Sequence, residues 1–152
     1  MHNEYLVSII GTQIVDGEAD NIEVLTTCDY VSENGDIYIK YKEYDSDSPD
    51  QFVSSVVKIE GENKVTIVHS GDRPSQLMLE KGRRHHCHYK TIMGDLLIGV
   101  FTDSIKSSLT DKGGNLWVKY TLDFNSGLVS QNEFKLNIKK KIKGASYVGD
   151  CN

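Results

Sequence analysis

The sequence predicts an all-β fold, a single closed antiparallel up-and-down β-barrel of about eight to ten strands. Three observations carry this expectation. Only two alanines occur, Ala19 and Ala145, against 13 Val, 13 Ile, 8 Thr and 8 Tyr. Alanine is the best helix former, whereas β-branched and aromatic side chains suit a pleated, half-buried surface. Apolar and polar residues also alternate with a period of two through much of the chain, and turn signals rich in Gly, Asn and Asp separate the runs.

The first strand spans about Tyr5 to Val15 and is closed by Asp16-Gly17. The next, Ile22 to Val31, is joined to Asp36 to Tyr44 by Asn34-Gly35, a dipeptide that favours a two-residue hairpin turn. Phe52 to Ile59, Lys64 to Ser70 and Ser75 to Glu80 follow, separated by Gly61-Glu62-Asn63 and Gly71-Asp72-Arg73-Pro74. Gly82 and Gly94 bracket a strand from Arg83 to Met93. Leu96, Ile98, Val100 and Thr102 share one face of the next, and Asp103 to Leu109 fits either strand or one helical turn. After Lys112-Gly113-Gly114-Asn115, Leu116 to Phe124 and Glu133 to Lys139 alternate strictly across Asn125-Ser126-Gly127. Sequential hairpins favour a barrel because closure removes exposed sheet edges. Residues 3–143 are assigned to the barrel, and 144–152, small and polar, to a loose tail.

With 152 residues the chain can hold one core of ordinary size. Seventeen Lys and Arg against 22 Asp and Glu give a net charge of −5, which argues against nucleic acid as a partner. No apolar run is long enough to span a membrane, and the N-terminal residues do not read as a secretory signal. Cys28, Cys87 and Cys151 are widely spaced and lack a CxxC pair, which fits reduced thiols in a cytoplasm.

Chemistry-bearing patterns are few. In Arg83 to Lys90 a strand period puts His85, Cys87 and Tyr89 on one face and Arg84, His86, His88 and Lys90 on the other. His85 and Cys87, with His69 or Cys28 from another strand, are weak candidates for a metal site, since a structural zinc takes four ligands. The simpler reading is a strand with one buried, hydrogen-bonded histidine. Glu43 to Asp50 lacks the Gly and Glu of a calcium loop and reads as a solvated connection. Lys139 to Lys143 reads as a strand end guarded by lysines. No GxSxG elbow, GxxxxGK[ST] or GxGxxG run occurs, and no cofactor is expected.

The inward faces carry unusual polarity. Thr26, Cys28 and Tyr30 continue the face begun by Ile22 and Val24, and Tyr41, His85, Tyr89, Thr102 and Tyr120 hold similar positions. These side chains either satisfy one another in a filled interior or line a lumen that holds a small ligand.

The central segment has a recognisable form: Val65-Thr66-Ile67-Val68-His69-Ser70-Gly71, then Gly82, Tyr89-Lys90, Gly94-Asp95-Leu96 and Thr102. In this spacing the chain resembles the YwiB-like family of bacterial proteins, most closely here and more loosely over residues 3–140. The resemblance implies a closed antiparallel barrel of the calycin type, the broad class of lipocalins and fatty-acid-binding proteins. It carries over no activity and no catalytic residue. The His85 to His88 cluster departs from the family pattern.

These readings lead to three expectations. The first is a cytoplasmic barrel that binds an apolar or amphipathic small molecule in its lumen, with His85, Tyr89, Thr102, Tyr120 and Tyr41 on the wall and Arg73 near one mouth. The second is a filled barrel that meets a protein partner of unknown identity through its surface. The third and least favoured is an enzyme, with His85 as general base.

Overall fold

The computed structural model describes residues 5–44, 51–71, 74–91, 94–124, 127 and 129–141. These residues hold ten strands and no helix. The strands are β1 (Tyr5–Val15), β2 (Glu18–Glu33), β3 (Asp36–Tyr44), β4 (Phe52–Glu60), β5 (Lys64–Ser70), β6 (Ser75–Glu80), β7 (Arg84–Thr91), β8 (Gly94–Ser107), β9 (Gly114–Phe124) and β10 (Val129–Lys140). The tail assigned to 144–152 lies outside the described residues, as do Arg73 and Asp45 to Asp50.

All ladders are antiparallel, in the order β6-β5-β4-β3-β2-β1-β10-β9-β8-β7. Every neighbour is a sequence neighbour except β1 and β10, whose pairing from Tyr5↔Lys140 to Ile14↔Gln131 brings the two ends of the meander together. The sheet curls into one nearly closed barrel. At its remaining seam, β6 and β7 are joined by the tight turn around Gly82 rather than by a ladder. There Gly82 N–H donates to Thr102 O at 2.9 Å, and Lys81 N–H donates to Asn63 O at 2.8 Å.

Turn chemistry sets the register. Asp16 and Gly17 have φ of 52° and 81°, and Asn34 and Gly35 have 55° and 86°. Two consecutive positive values match the primed turn whose twist suits a two-residue hairpin. They lock Val15 opposite Glu18 and Glu33 opposite Asp36. Asp103 to Ser107 continues β8 as strand, with an irregularity between Thr102 and Ser104 that returns Ile105 to the buried side. β2 starts at Glu18, four residues before the apolar pattern does, because β1 supplies a partner along its whole length.

The core gathers inward residues of β1 to β6 and β8 to β10, with Cys87 of β7 packed against them. Val7, Ile39, Val57, Val65, Leu79, Val100, Leu116, Val118 and Leu136 are all at most 1% exposed, so the middle of the barrel is filled by side chains. Each such burial is worth about 1.5–3 kcal/mol. One end is capped by the segment from Ser108 to Gly113. Tyr30 OH donates to Thr110 O at 2.6 Å and Tyr5 OH to Asp111 O at 3.3 Å, with the two rings 5.1 Å apart.

Candidate functional site

A cleft arises where β2 parts from β3. The β2–β3 ladder runs only from Glu33↔Asp36 to Asp29↔Lys40. Beyond that pair, β2 continues with β1, while β3 continues with β4 to Tyr44↔Phe52. The fork is a cleft of about 640 Å³ lined by Thr26, Thr27 and Asp29 from β2, Lys40 to Lys42 and Tyr44 from β3, and Ser54 to Val56 from β4.

A row of polar side chains crosses the inner end of this cleft. The register sets Tyr41 opposite Ser55 and Ser55 opposite His69. Ser55 is 1% exposed and Tyr41 7%. Ser55 Oγ lies 2.8 Å from His69 Nδ1 and donates to Glu43 Oε2 at 3.3 Å. The hydroxyl is thus shared between the imidazole and the carboxylate, and the tautomer of His69 sets whether ring or hydroxyl donates across the 2.8 Å contact. Tyr41 also bonds Ser55; burial pushes its phenol up to about 12, with Glu43 adding to the rise and Ser55 opposing it.

This is not the arrangement of a Ser-His-acid triad. A nucleophile needs the imidazole between hydroxyl and carboxylate, with the acid orienting the ring. Here the hydroxyl sits between the other two groups. The row is suited instead to holding a polar group of a ligand by several hydrogen bonds.

The other expected residues lie elsewhere. Thr102 and Tyr120 face each other on β8 and β9, in the opposite wall from Tyr41. Thr102 is fully buried and its Oγ1 has no partner among the described residues. Tyr120 lines a second cavity of about 210 Å³ with Gln13, Asp20, Ile22, Leu122 and Asn132 among its neighbours. Beneath it Asn132 Nδ2 donates to Ser130 Oγ at 3.0 Å. His85 is at the β6–β7 seam, where its Nε2 donates to Glu80 Oε1 at 2.9 Å. The side chain of Tyr89 and the whole of Arg73 lie outside what the structure describes.

Four of the expected residues are thus placed in three regions: Tyr41 belongs to the fork, Thr102 and Tyr120 to the far wall, and His85 to the seam. The filled middle of the barrel separates these places. His69 on β5 is held by Ser55, and His85 on β7 by Glu80. Among the described residues, no three His, Cys, Asp or Glu side chains gather as metal ligands. Cys28 and Cys87 are free thiols, and burial pushes Cys28 up to about 12, the charge of Asp29 adding to the effect.

Ser55 and Glu43 were not singled out from the sequence, yet parity points to both. Ser55 shares its face with Val57 and Ile59, and Glu43 with Ile37, Ile39 and Tyr41. Glu43 reads as part of an acidic loop, but β3 runs on to Tyr44 and turns it inward.

Comparison with known proteins adds the following. The model of the family described as "Domain of unknown function (DUF1934)" matches residues 7–136. The crystal structure of ywiB protein from Bacillus subtilis is similar with a TM-score of 0.75 and 22% identity, covering 91% of this chain and 92% of that one. At that identity the likeness concerns the fold, and it is consistent with the YwiB-like spacing of the central segment. No curated protein matches the chain. No helix among the described residues is long and apolar enough to cross a membrane.

Proposed function

The chain belongs to the family of the domain of unknown function DUF1934, and from that footing we propose that it binds a small amphipathic molecule in the cleft between β2 and β3. The observation that carries this reading is the row Tyr41–Ser55–His69, with Glu43, at the inner end of a cleft of about 640 Å³. Cleft sites typically combine an apolar body with a few convergent polar groups. The ligand's polar end reaches Tyr41 and Ser55, and its body lies between Thr26, Thr27 and Tyr44. Lys40 and Lys42 at the rim favour a negative charge on the part that faces solvent.

The wider reading is a calycin-like carrier in a bacterial cytoplasm. The free thiols of Cys28 and Cys87 support a reducing compartment. The organism of the similar crystal structure supports a bacterial setting. Native mass spectrometry of protein purified from its own host, before and after denaturation, tests the reading. A mass excess that disappears on unfolding, and that Tyr41→Phe removes without lowering the melting temperature, is the expected result. An excess that Tyr41→Phe leaves intact would put the ligand somewhere else.

A further inference from the structure

A second feature of β2 is independent of the cleft's contents. Its edge on the fork side is unpaired from Glu18 to Thr27 among the described residues, because β3 meets β2 only from Asp29 onward. The hairpin geometry fixes which groups face that edge. In a two-residue hairpin the pair next to the turn exchanges both backbone bonds, and this alternates along the ladder. Glu18, Asp20, Ile22, Val24 and Thr26 therefore turn their N–H and C=O groups toward β1. Ala19, Asn21, Glu23, Leu25 and Thr27 turn theirs away from it. The same count from Glu33↔Asp36 directs Asp29, Val31 and Glu33 at β3, so the two hairpins agree.

A long free edge is a template for another strand unless it is blunted. This one carries no proline and no lysine between Glu18 and Thr27. It leaves Ile22 67% and Leu25 75% exposed, the two largest values among the exposed hydrophobic residues of the described chain. These two side chains stand on opposite faces of β2, which is where an added strand would cover them.

Charge selects the occupant. Asp16, Glu18, Asp20 and Glu23 lie along the turn and edge, and Tyr5 to Val24 contains no Lys or Arg. A second copy of this chain added to the edge would set one acidic run against another. A segment bearing Lys or Arg would be drawn to it.

We propose that the edge of β2 from Glu18 to Leu25, short of the Thr26 and Thr27 that line the cleft, binds an extended basic segment of a partner protein by strand addition, with apolar residues of that segment covering Ile22 and Leu25. Backbone bonds to Ala19, Asn21, Glu23 and Leu25 supply affinity, and alternate side chains supply selectivity.

Fluorescence anisotropy of a short labelled peptide of repeating Val-Val-Lys-Lys, which as a strand shows valine and lysine on both faces, titrated with the full chain, tests this. Saturable binding that weakens as salt rises is expected. Asn21→Ala removes only the bond that Thr12 Oγ1 makes to Asn21 at 2.9 Å and leaves peptide affinity near that of the native chain. Asn21→Pro also removes an outward N–H, and weakens binding about tenfold, the effect of one lost backbone bond in a desolvated site. Proline is tolerated there because that N–H takes no part in the β1 ladder. Replacing Glu18, Asp20 and Glu23 together by Gln flattens the salt dependence. Methylating alternate amides of the peptide abolishes binding to the native chain, a control that needs no protein variant to fold. Absence of saturation, equal affinity for the methylated peptide, or preference for a peptide with Glu in place of Lys overturns the proposal. Sedimentation that shows the chain pairing with itself through this edge overturns it as well.

Discussion

Ser55 Oγ lies 2.8 Å from His69 Nδ1 across directly opposed positions of β4 and β5, with the hydroxyl between the imidazole and the Glu43 carboxylate. The serine is thus a junction of His69, Glu43 and Tyr41. Its loss would leave the half-buried Glu43 and His69 and the buried Tyr41 without that partner.

Ser55→Ala is expected to destabilise the fold by about 1–3 kcal/mol, the usual cost of leaving buried partners unsatisfied. Urea denaturation measures this. A change within the scatter of surface substitutions would show that the row is open enough for water to replace the hydroxyl.

Stability should decline in alkali. Cys28, Tyr30 and Tyr41 are all pushed up to about 12, from ordinary values of 9.0, 10.0 and 10.0, chiefly by burial. A group whose folded value is raised stabilises fully below its unfolded value and loses that contribution as pH rises through the folded one. The urea midpoint should stay level up to about pH 9 and then fall toward pH 12. Tyr41→Phe should shorten the fall. A native chain that kept its midpoint across that range would contradict the burial of these groups.

Cys28 should also resist alkylation. At 1% exposure, with its thiol held neutral, it presents little thiolate to a reagent. Mass spectrometry after iodoacetamide treatment should find Cys28 unmodified in the native chain and modified in urea. Rapid labelling of native Cys28 would mean that the β1–β2 hairpin opens readily.

At the seam the sign is reversed. The hydrogen bond from His85 lowers the Glu80 carboxyl below its ordinary 4.5, and Arg83 adds to this. A depressed carboxyl stabilises above its unfolded value and loses that contribution as pH falls. Thermal melts below pH 4.5 should therefore depend less on pH in Glu80→Gln than in the native chain. Parallel curves for the two would remove Glu80 from the acid response.

Two glycines should respond differently to alanine. A Cβ at Gly113, where φ is 111°, would strike the carbonyl of Ile138, which is backbone and cannot swing away. A Cβ at Gly99 would meet the ends of Arg84 and Asp123, whose ion pair of 2.6 Å crosses over β8 at that point. Gly113→Ala should cost about 1–3 kcal/mol in strain. Gly99→Ala should cost at most about 1 kcal/mol, the worth of a surface ion pair that can move aside. Denaturant titrations of both variants check the order, and a reversed order would contradict the packing at Ile138.

The strands were legible because burial on one face writes a period of two into the sequence. Asp16-Gly17 and Asn34-Gly35 were legible because a primed turn admits few residues. Strand parity also placed Tyr41, Thr102 and Tyr120 on inward faces. What parity does not carry is distance around the barrel. It therefore left open that Tyr41 and Thr102 lie on opposite walls with Val and Leu side chains packed between them. The fork was illegible for a related reason: β2 reads as one continuous strand, and nothing in its alternation marks the residue at which β3 turns aside. The acidity of Glu43 hid its direction, since a charged residue next to a solvated loop looks like part of the loop.

The pairing of β1 with β10 has a consequence for the order of assembly. β2 to β6 are consecutive hairpins, and each can close over a short loop as soon as its two strands exist. β1 gains its second neighbour only from the far end of the meander. Closing so long a loop carries the largest entropic penalty in the fold and comes late. On the ribosome, Val7 and Ile9 must wait for Leu136 and Ile138 to emerge before that side of β1 is covered. The interval is the chain's most exposed period to misassociation, and a chaperone that shields β1 would act there.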